Sequence, residues 1–239
     1  LELKNQLTGQ DCACAINQYK NDRSSKEFAF RPNHRFLVYF AVDLYEVWMT
    51  TQLADGGTRF MPFNQGSNGA GQSGGAGNPA NPNGYVTSYL WEEVLQRDSL
   101  LDLIQRFISN VKEKETVEKN GVVKTIIKEK MLFPRYHQYD VVRKVLADVK
   151  QNGPGKNYLI QHSAGSGKSN SIAWIAYRLA SVHDDNDNGI FDSVIVVTNR
   201  VVLDSQLQDT INSFEHQAGL VEAIDEKKNS HTLAEAIND

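Results

Sequence analysis

The sequence predicts an α/β protein in two parts, and three observations predict it. Residues 1–110 mix short aromatic or β-branched runs with helical patterns, residues 132–239 repeat helix and strand, and residues 111–131 between them turn to mixed charge. The 239 residues are enough for one large domain or two ordinary ones, each with its own core. No apolar run is long enough to span a bilayer, and the start, LELKNQLTGQ, carries no secretion-signal pattern. It begins in mid-pattern without Met, so the chain is expected to be part of something longer. Cys12 and Cys14 stand as C-x-C: a disulfide that tight is strained and a zinc site lacks further ligands, so both read as packing residues in a reducing cytoplasm. A net charge of −4 excludes wholesale wrapping of nucleic acid and leaves local basic faces as the route to any DNA contact.

In the first part, Leu1 and Leu3 alternate with Glu2 and Lys4, which places Glu2 and Lys4 on one face of a strand. Residues 10–22 carry a helical pattern with Cys12, Ala15, Ile16 and Tyr19 on one side. FLVYF at 36–40 and VWMTT at 47–51 read as strands joined by a short link around Asp43, a hairpin. Residues 64–84, NQGSNGAGQSGGAGNPANPNG, have almost nothing to bury and are expected to be a mobile loop, either a passive linker or one that orders on DNA or a neighbouring domain. A helix is expected over 89–107, with Leu90, Val94, Leu101, Ile104 and Ile108 at helical spacing.

Asn120-Gly121 between Thr116-Val117 and Val122-Val123 is a two-residue turn signal, so 111–131 reads as a charged hairpin or linker and the domain boundary. Its lysines (Lys112, Lys114, Lys119, Lys124, Lys128, Lys130) are placed either to touch phosphate or to pair with the interleaved glutamates.

In the second part, residues 135–150 are expected to form a helix with Val141, Val145, Leu146 and Val149 inward. Tyr158-Leu159-Ile160 reads as a short buried strand. A turn through Ser163, Ala164, Gly165, Ser166 and Gly167 leads into a helix over 168–181 that presents Ile172, Ile175, Ala176 and Leu179. Strand, glycine turn, Lys-Ser and helix is the layout of a P-loop, hence an ATP site. Glycines let backbone N–H groups close round phosphate oxygens, and the helix N-terminus adds positive potential. Gly165, Ser166 and Gly167 form that cradle, Lys168 reaches the β- and γ-phosphates, and the Ser169 hydroxyl is a ligand for Mg²⁺. The general pattern wants glycine where this chain has His162. An acidic loop at 183–189, a buried strand at 193–198, a helix from Asn199 to Phe214, a weak strand near Leu220 and a short helix at 232–237 complete a parallel sheet covered on both faces. The second acidic motif of a motor ATPase is not found: Asp225-Glu226 is followed by two lysines and preceded by no apolar strand.

Taken together, these pieces resemble the restriction (R) subunit of type I restriction–modification enzymes. LELKN, YLWEEVLQRDSLLDLIQRF, FPRYHQ, IQHSAGSGKS and VVTNRVVLDSQL follow one another in that family's order and cover nearly the whole chain. In that family a PD-(D/E)xK nuclease domain precedes two RecA-like motor domains of the superfamily-two helicase type, which pump DNA until it is cut. The resemblance implies a partial restriction-endonuclease-like α/β domain over 1–110 and a partial RecA-like P-loop domain with a parallel sheet over 132–239. It implies that Glu2 and Lys4 are the E-x-K half of the nuclease motif, Glu2 as metal ligand and Lys4 orienting water, with the first aspartate upstream of residue 1. Gln18 resembles the glutamine of a Q-x-x-x-Y element, with Asp22 four residues on and Tyr19 adjacent. Gln138 resembles an adenine-reading glutamine with Arg135 binding nearby, and Arg200 falls where such motors touch the DNA backbone.

The implied function is that of a fragment of an ATP-dependent type I site-specific deoxyribonuclease and translocase. ATP and Mg²⁺ are its cofactors; double-stranded DNA and the methylation and specificity subunits are its partners, in the cytoplasm and without a membrane. The chain alone is expected to hydrolyse neither ATP nor DNA. The alternative is a superfamily-two helicase-like ATPase whose N-terminal part is a non-catalytic DNA- or partner-docking module. A P-loop kinase or transporter ATPase is disfavoured, because neither needs FPRYHQ ahead of the loop.

Overall fold

Short aromatic and β-branched runs generate the first sheet, in a computed structural model that describes residues 1–119, 122–199, 207–212 and 214. The chain divides into two compact units, Leu1–Asp140 and Val141–Asp239. In the first, β1 (Glu2–Leu3) is followed by α1 (Cys12–Asn21), β2 (Tyr39–Val42), β3 (Val47–Thr50) and β4 (Met61–Pro62). The four strands lie in sequence order: β1 runs parallel to β2, and the β2–β3 and β3–β4 pairs are antiparallel. The fold is mixed α/β.

Every residue of β2 is buried, so the sheet is covered on both faces. Tyr39 and Ala41 pack with Ala15 and Tyr19 of α1 and with Leu53. Phe40 meets Phe63 and Phe133 on the other face, at ring-centroid distances of 5.3 and 5.9 Å. Phe63 reaches Tyr136 at 5.7 Å and Tyr136 reaches Tyr89 at 5.0 Å, while the Tyr89 hydroxyl donates to the Phe63 carbonyl at 2.7 Å. Each such ring contributes roughly 2–3 kcal/mol by burial, and the hydroxyl bond removes the cost of a buried polar tip. The expected 89–107 helix is interrupted. A single π-turn spans Leu90–Val94, and α2 begins afresh at Arg97 and runs to Arg106.

The 64–84 segment, expected to have no fixed conformation, is tied down by asparagine. Asn64 Oδ1 accepts the Val47 N–H at 2.8 Å, and Asn78 Oδ1 accepts the Gln65 N–H at 2.9 Å. The Asn78 amide also donates to the Tyr45 carbonyl and to Asn64. Amide side chains supply the hydrogen bonds that apolar burial does not.

The long hairpin pairs β5 (Ser109–Lys119) with β6 (Val122–Leu132), from Ser109 opposite Leu132 to Lys119 opposite Val122. Asn120 and Gly121 lie outside the described residues. Helix α3 (Tyr136–Asn152) follows, and the boundary between the two units falls within its length, after Asp140.

In the second unit Val142, Val145, Leu146 and Val149 of α3 are buried, close to the expected face, and α4 spans Lys168–Ala180. The parallel sheet expected here is not formed among the described residues, which contain only an isolated bridge between His183 and Gly189. Residues 158–160 and 193–198 take no strand conformation, and Leu159 and Val197 are 92% and 85% exposed. The physical reason is pairing. A strand needs at least one neighbour to supply ladder bonds, and among the described residues neither run is paired. The face of α4 shifts accordingly: Ser171, Ala173 and Trp174 are buried and Ile172 is exposed. Trp174 packs on Phe214 at 5.3 Å, while Ile175 and Leu179 line a cavity of about 260 Å³ with Val145, Val149, Ile160 and Phe191. The weak strand near Leu220, the Asp225-Glu226 pair and the helix at 232–237 lie outside the described residues; residues 207–212 are helical.

Candidate functional site

The loop before α4 is set by two glycines in the left-handed region, Gly165 at φ +71° and Gly167 at φ +82°. A side chain disfavours that backbone by about 1–2 kcal/mol, so glycine is required at both. Gly167 caps α4, and the first-turn N–H groups of the helix point back over the loop. A Cβ at Gly165 would meet nothing within 4 Å, so the space beside the loop is open to a ligand. Ser166 is buried, whereas Lys168 and Ser169 are exposed. The Lys168 ammonium folds over its own loop, donating to the carbonyls of Ser163 at 2.9 Å and His162 at 3.3 Å. An anion in the cradle would offer the same ammonium a charged acceptor and draw it away. Burial, and secondarily the Lys168 charge, holds the His162 pKa below its ordinary value. The donor set suits a polyphosphate. For Mg²⁺ the loop offers the Ser169 hydroxyl, and the described residues hold no group of three or more His, Cys, Asp or Glu placed to bind a metal.

A second cluster forms in the first unit. Glu2 stands in register with Ala41, on the sheet face that α1 covers, and the Lys4 N–H donates to the Val42 carbonyl. The structure brings Glu2, Lys4 and Gln18 together: Lys4 Nζ donates to Gln18 Oε1 at 2.7 Å and lies 3.6 Å from Glu2 Oε1. Arg23 Nη2 approaches the other Glu2 oxygen at 3.8 Å. Tyr19 lies beneath, its hydroxyl donating to the Phe40 carbonyl. Burial first, then the Glu2 charge, pushes its pKa up to about 12, with Arg23 opposing.

Asp43 positions this cluster, a role the sequence reading missed. Its carboxylate accepts the N–H groups of Cys12, Tyr45 and Glu46 at 2.9, 2.8 and 2.9 Å, fastening the start of α1 to the β2–β3 turn. The available signal was an aspartate in a short strand link, a position where its side chain bonds the backbone two or three residues on. Burial pushes up the pKa of the neighbouring Cys12 thiol, which is free, as is exposed Cys14.

Gln138 is buried, and its Oε1 accepts the Arg135 N–H at 2.8 Å. With Tyr136 as the first residue of α3, this is the returning half of a capping box. The Arg135 guanidinium sits 3.3 Å from Met61 Sδ. Gln138 and Arg135 belong to the first compact unit and the phosphate loop to the second. Arg200 lies outside the described residues.

The loop geometry meets an independent finding: residues 137–239 match the family model SWI2/SNF2 ATPase. This part of the chain is a helicase-like ATPase domain. Residues 1–136 lie outside the match. No curated protein and no solved structure matches the chain. An ATPase of this kind uses ATP. No helix among the described residues is long and apolar enough to cross a membrane.

Proposed function

We propose that the ATPase domain serves a type I restriction R subunit, in which the first unit belongs to a nuclease and the motor pulls double-stranded DNA toward it. The observation that carries the reading is the meeting of Glu2, Lys4 and Gln18 at one place in the chain that also bears the phosphate loop. A solvated alternation of charge on a strand has no reason to aim its lysine at a glutamine fourteen residues on in a covering helix. In this reading Lys4, held by Gln18, orients a water at the cleavage point, and Glu2 pairs with the Lys4 ammonium. Glu2 is the only carboxylate among these three, and the cations Lys4 and Arg23 flank it. These three residues alone do not make a complete metal site.

In the ATPase domain, backbone N–H groups of 165–169 and the Lys168 ammonium take up the charge of the phosphates, and Ser169 is placed for the accompanying Mg²⁺. Gln138 and Arg135 are proposed for the adenine base and Arg200 for the DNA backbone. Methylation and specificity subunits complete the assembly, in the cytoplasm. The segments 1–110, 111–131 and 132–239 then correspond to nuclease part, hairpin and motor part. The second reading, a motor with a docking module in front, keeps the loop chemistry and drops the cleavage role. Lys4→Ala in the intact protein separates them: DNA cleavage disappears and ATP turnover persists under the first reading, and cleavage at the wild-type rate refutes it.

A further inference from the structure

We propose that residues 20–35 form a contact surface for the phosphate backbone of duplex DNA, with Arg23 at the end that adjoins Glu2. The choice of DNA as occupant rests on the reading above. The surface rests on charge and geometry. Within a chain of net charge −4, this stretch holds Lys20, Arg23, Lys26, Arg31 and Arg35 against Asp22 and Glu27, five cations to two anions. Asp55 and Glu129 also approach, accepting the Ser25 N–H at 2.9 Å and the Asn33 amide at 3.5 Å, which leaves five cations to four anions.

Lys26, Arg31 and Arg35 are exposed, and the Arg23 side chain is 36% exposed. Arg23 lies 3.8 Å from Glu2, beyond hydrogen-bond distance, so its planar fork of donors stays available for a phosphate. Lys4, by contrast, is 12% exposed and turned to Gln18. Two neighbours are held in place. Arg31 Nε donates to the Lys26 carbonyl at 2.9 Å, and the Arg35 guanidinium lies 5.9 Å from the centre of the Phe28 ring. The stretch is therefore a partly braced group of cations, one of which, Arg23, adjoins the Glu2–Lys4–Gln18 cluster. Phosphate contacts of this kind position a duplex without reading its sequence.

The test is duplex binding by the intact protein without nucleotide, measured by fluorescence anisotropy over a range of NaCl concentrations. Each phosphate contact contributes about −0.9 to the slope of log K against log salt. Arg23→Gln is expected to reduce the steepness by about one contact, and Lys26→Gln/Arg31→Gln/Arg35→Gln together by about two to three. The charge-preserving set Arg23→Lys, Arg31→Lys and Arg35→Lys keeps the wild-type slope. Glutamine variants with wild-type slope and affinity overturn the proposal, and so does a lysine set that loses slope as the glutamine set does, since that marks a bracing role. If the glutamine variants lose slope while Lys4→Ala still cuts DNA, the surface stands and the nuclease reading falls.

Discussion

The phosphate loop and the Glu2–Lys4–Gln18 cluster are built in opposite ways. The loop is a local object: its donors are consecutive backbone N–H groups, its shape comes from the positive φ of Gly165 and Gly167, and its one long side chain bonds carbonyls five and six residues away. The cluster is assembled from side chains on different elements, a strand edge and the helix that covers it, and depends on Asp43 to fasten that helix. A backbone-built loop is set by the dihedrals of a few consecutive residues, whereas a side-chain cluster needs separate elements brought together. The scaffolds differ as well. The first unit has a sheet buried on both faces, while the second leaves its apolar runs at 158–160 and 193–198 without ladder partners among the described residues.

The largest effect expected from this contrast is at Lys168. Removing a cation aimed at developing phosphate charge costs about 10²–10³ in rate, so Lys168→Ala in the intact protein abolishes measurable DNA-stimulated ATP turnover and, with it, DNA movement. Retained turnover would break the loop's side of the comparison. Next comes Gly167→Ala, which leaves every donor in place and strains only the backbone. At about 1–2 kcal/mol for a left-handed alanine, nucleotide affinity falls about tenfold in a titration with a fluorescent ATP analogue. An unchanged affinity would mean that the positive φ of Gly167 is not what shapes the cradle.

The smallest effect is pH-dependent and belongs to His162. Its pKa in the folded chain lies below the ordinary 6.5, chiefly through burial, so the unfolded chain binds the proton more tightly. The stability owed to neutral His162 is therefore present above about pH 6.5 and is lost as pH falls toward the depressed value. Thermal melts at about pH 7.5 and pH 5.5 should show a larger loss in the wild type than in His162→Asn. An equal loss would remove His162 as the cause.

How far the sequence revealed these features follows the same division. The glycine turn and α4 were legible because both are encoded in contiguous residues, as were α1 and β3, whereas β2 spans Tyr39–Val42 and overlaps the expected 36–40 run only at that run's last two residues. FPRYHQ was legible as a motif, yet Phe133 and Tyr136 pack against Phe63, in the aromatic core of the first unit, and the Gln138 oxygen caps α3; neither follows from spacing. The asparagine ties of 64–84 were hidden because composition reports what a segment cannot bury and is silent on what its amides can bond. Strands at 158–160 and 193–198 were read from hydrophobicity alone, which marks a residue as suited to a sheet without supplying the neighbour it needs. Arg23 and Asp43 carry no motif, and their roles appear only when β1, α1 and the β2–β3 turn are brought together.

The central claim is that one chain carries two chemically separate sites, a backbone-built one for ATP and a side-chain-built one for DNA cleavage. It is tested most directly by measuring ATP turnover and DNA cleavage side by side, in one preparation each of intact Lys4→Ala and Lys168→Ala protein with its partner subunits. The account predicts that Lys4→Ala turns over ATP at the wild-type rate and leaves DNA uncut, and that Lys168→Ala does neither. Wild-type cleavage by Lys4→Ala, or ATP turnover that falls with it, would contradict the account.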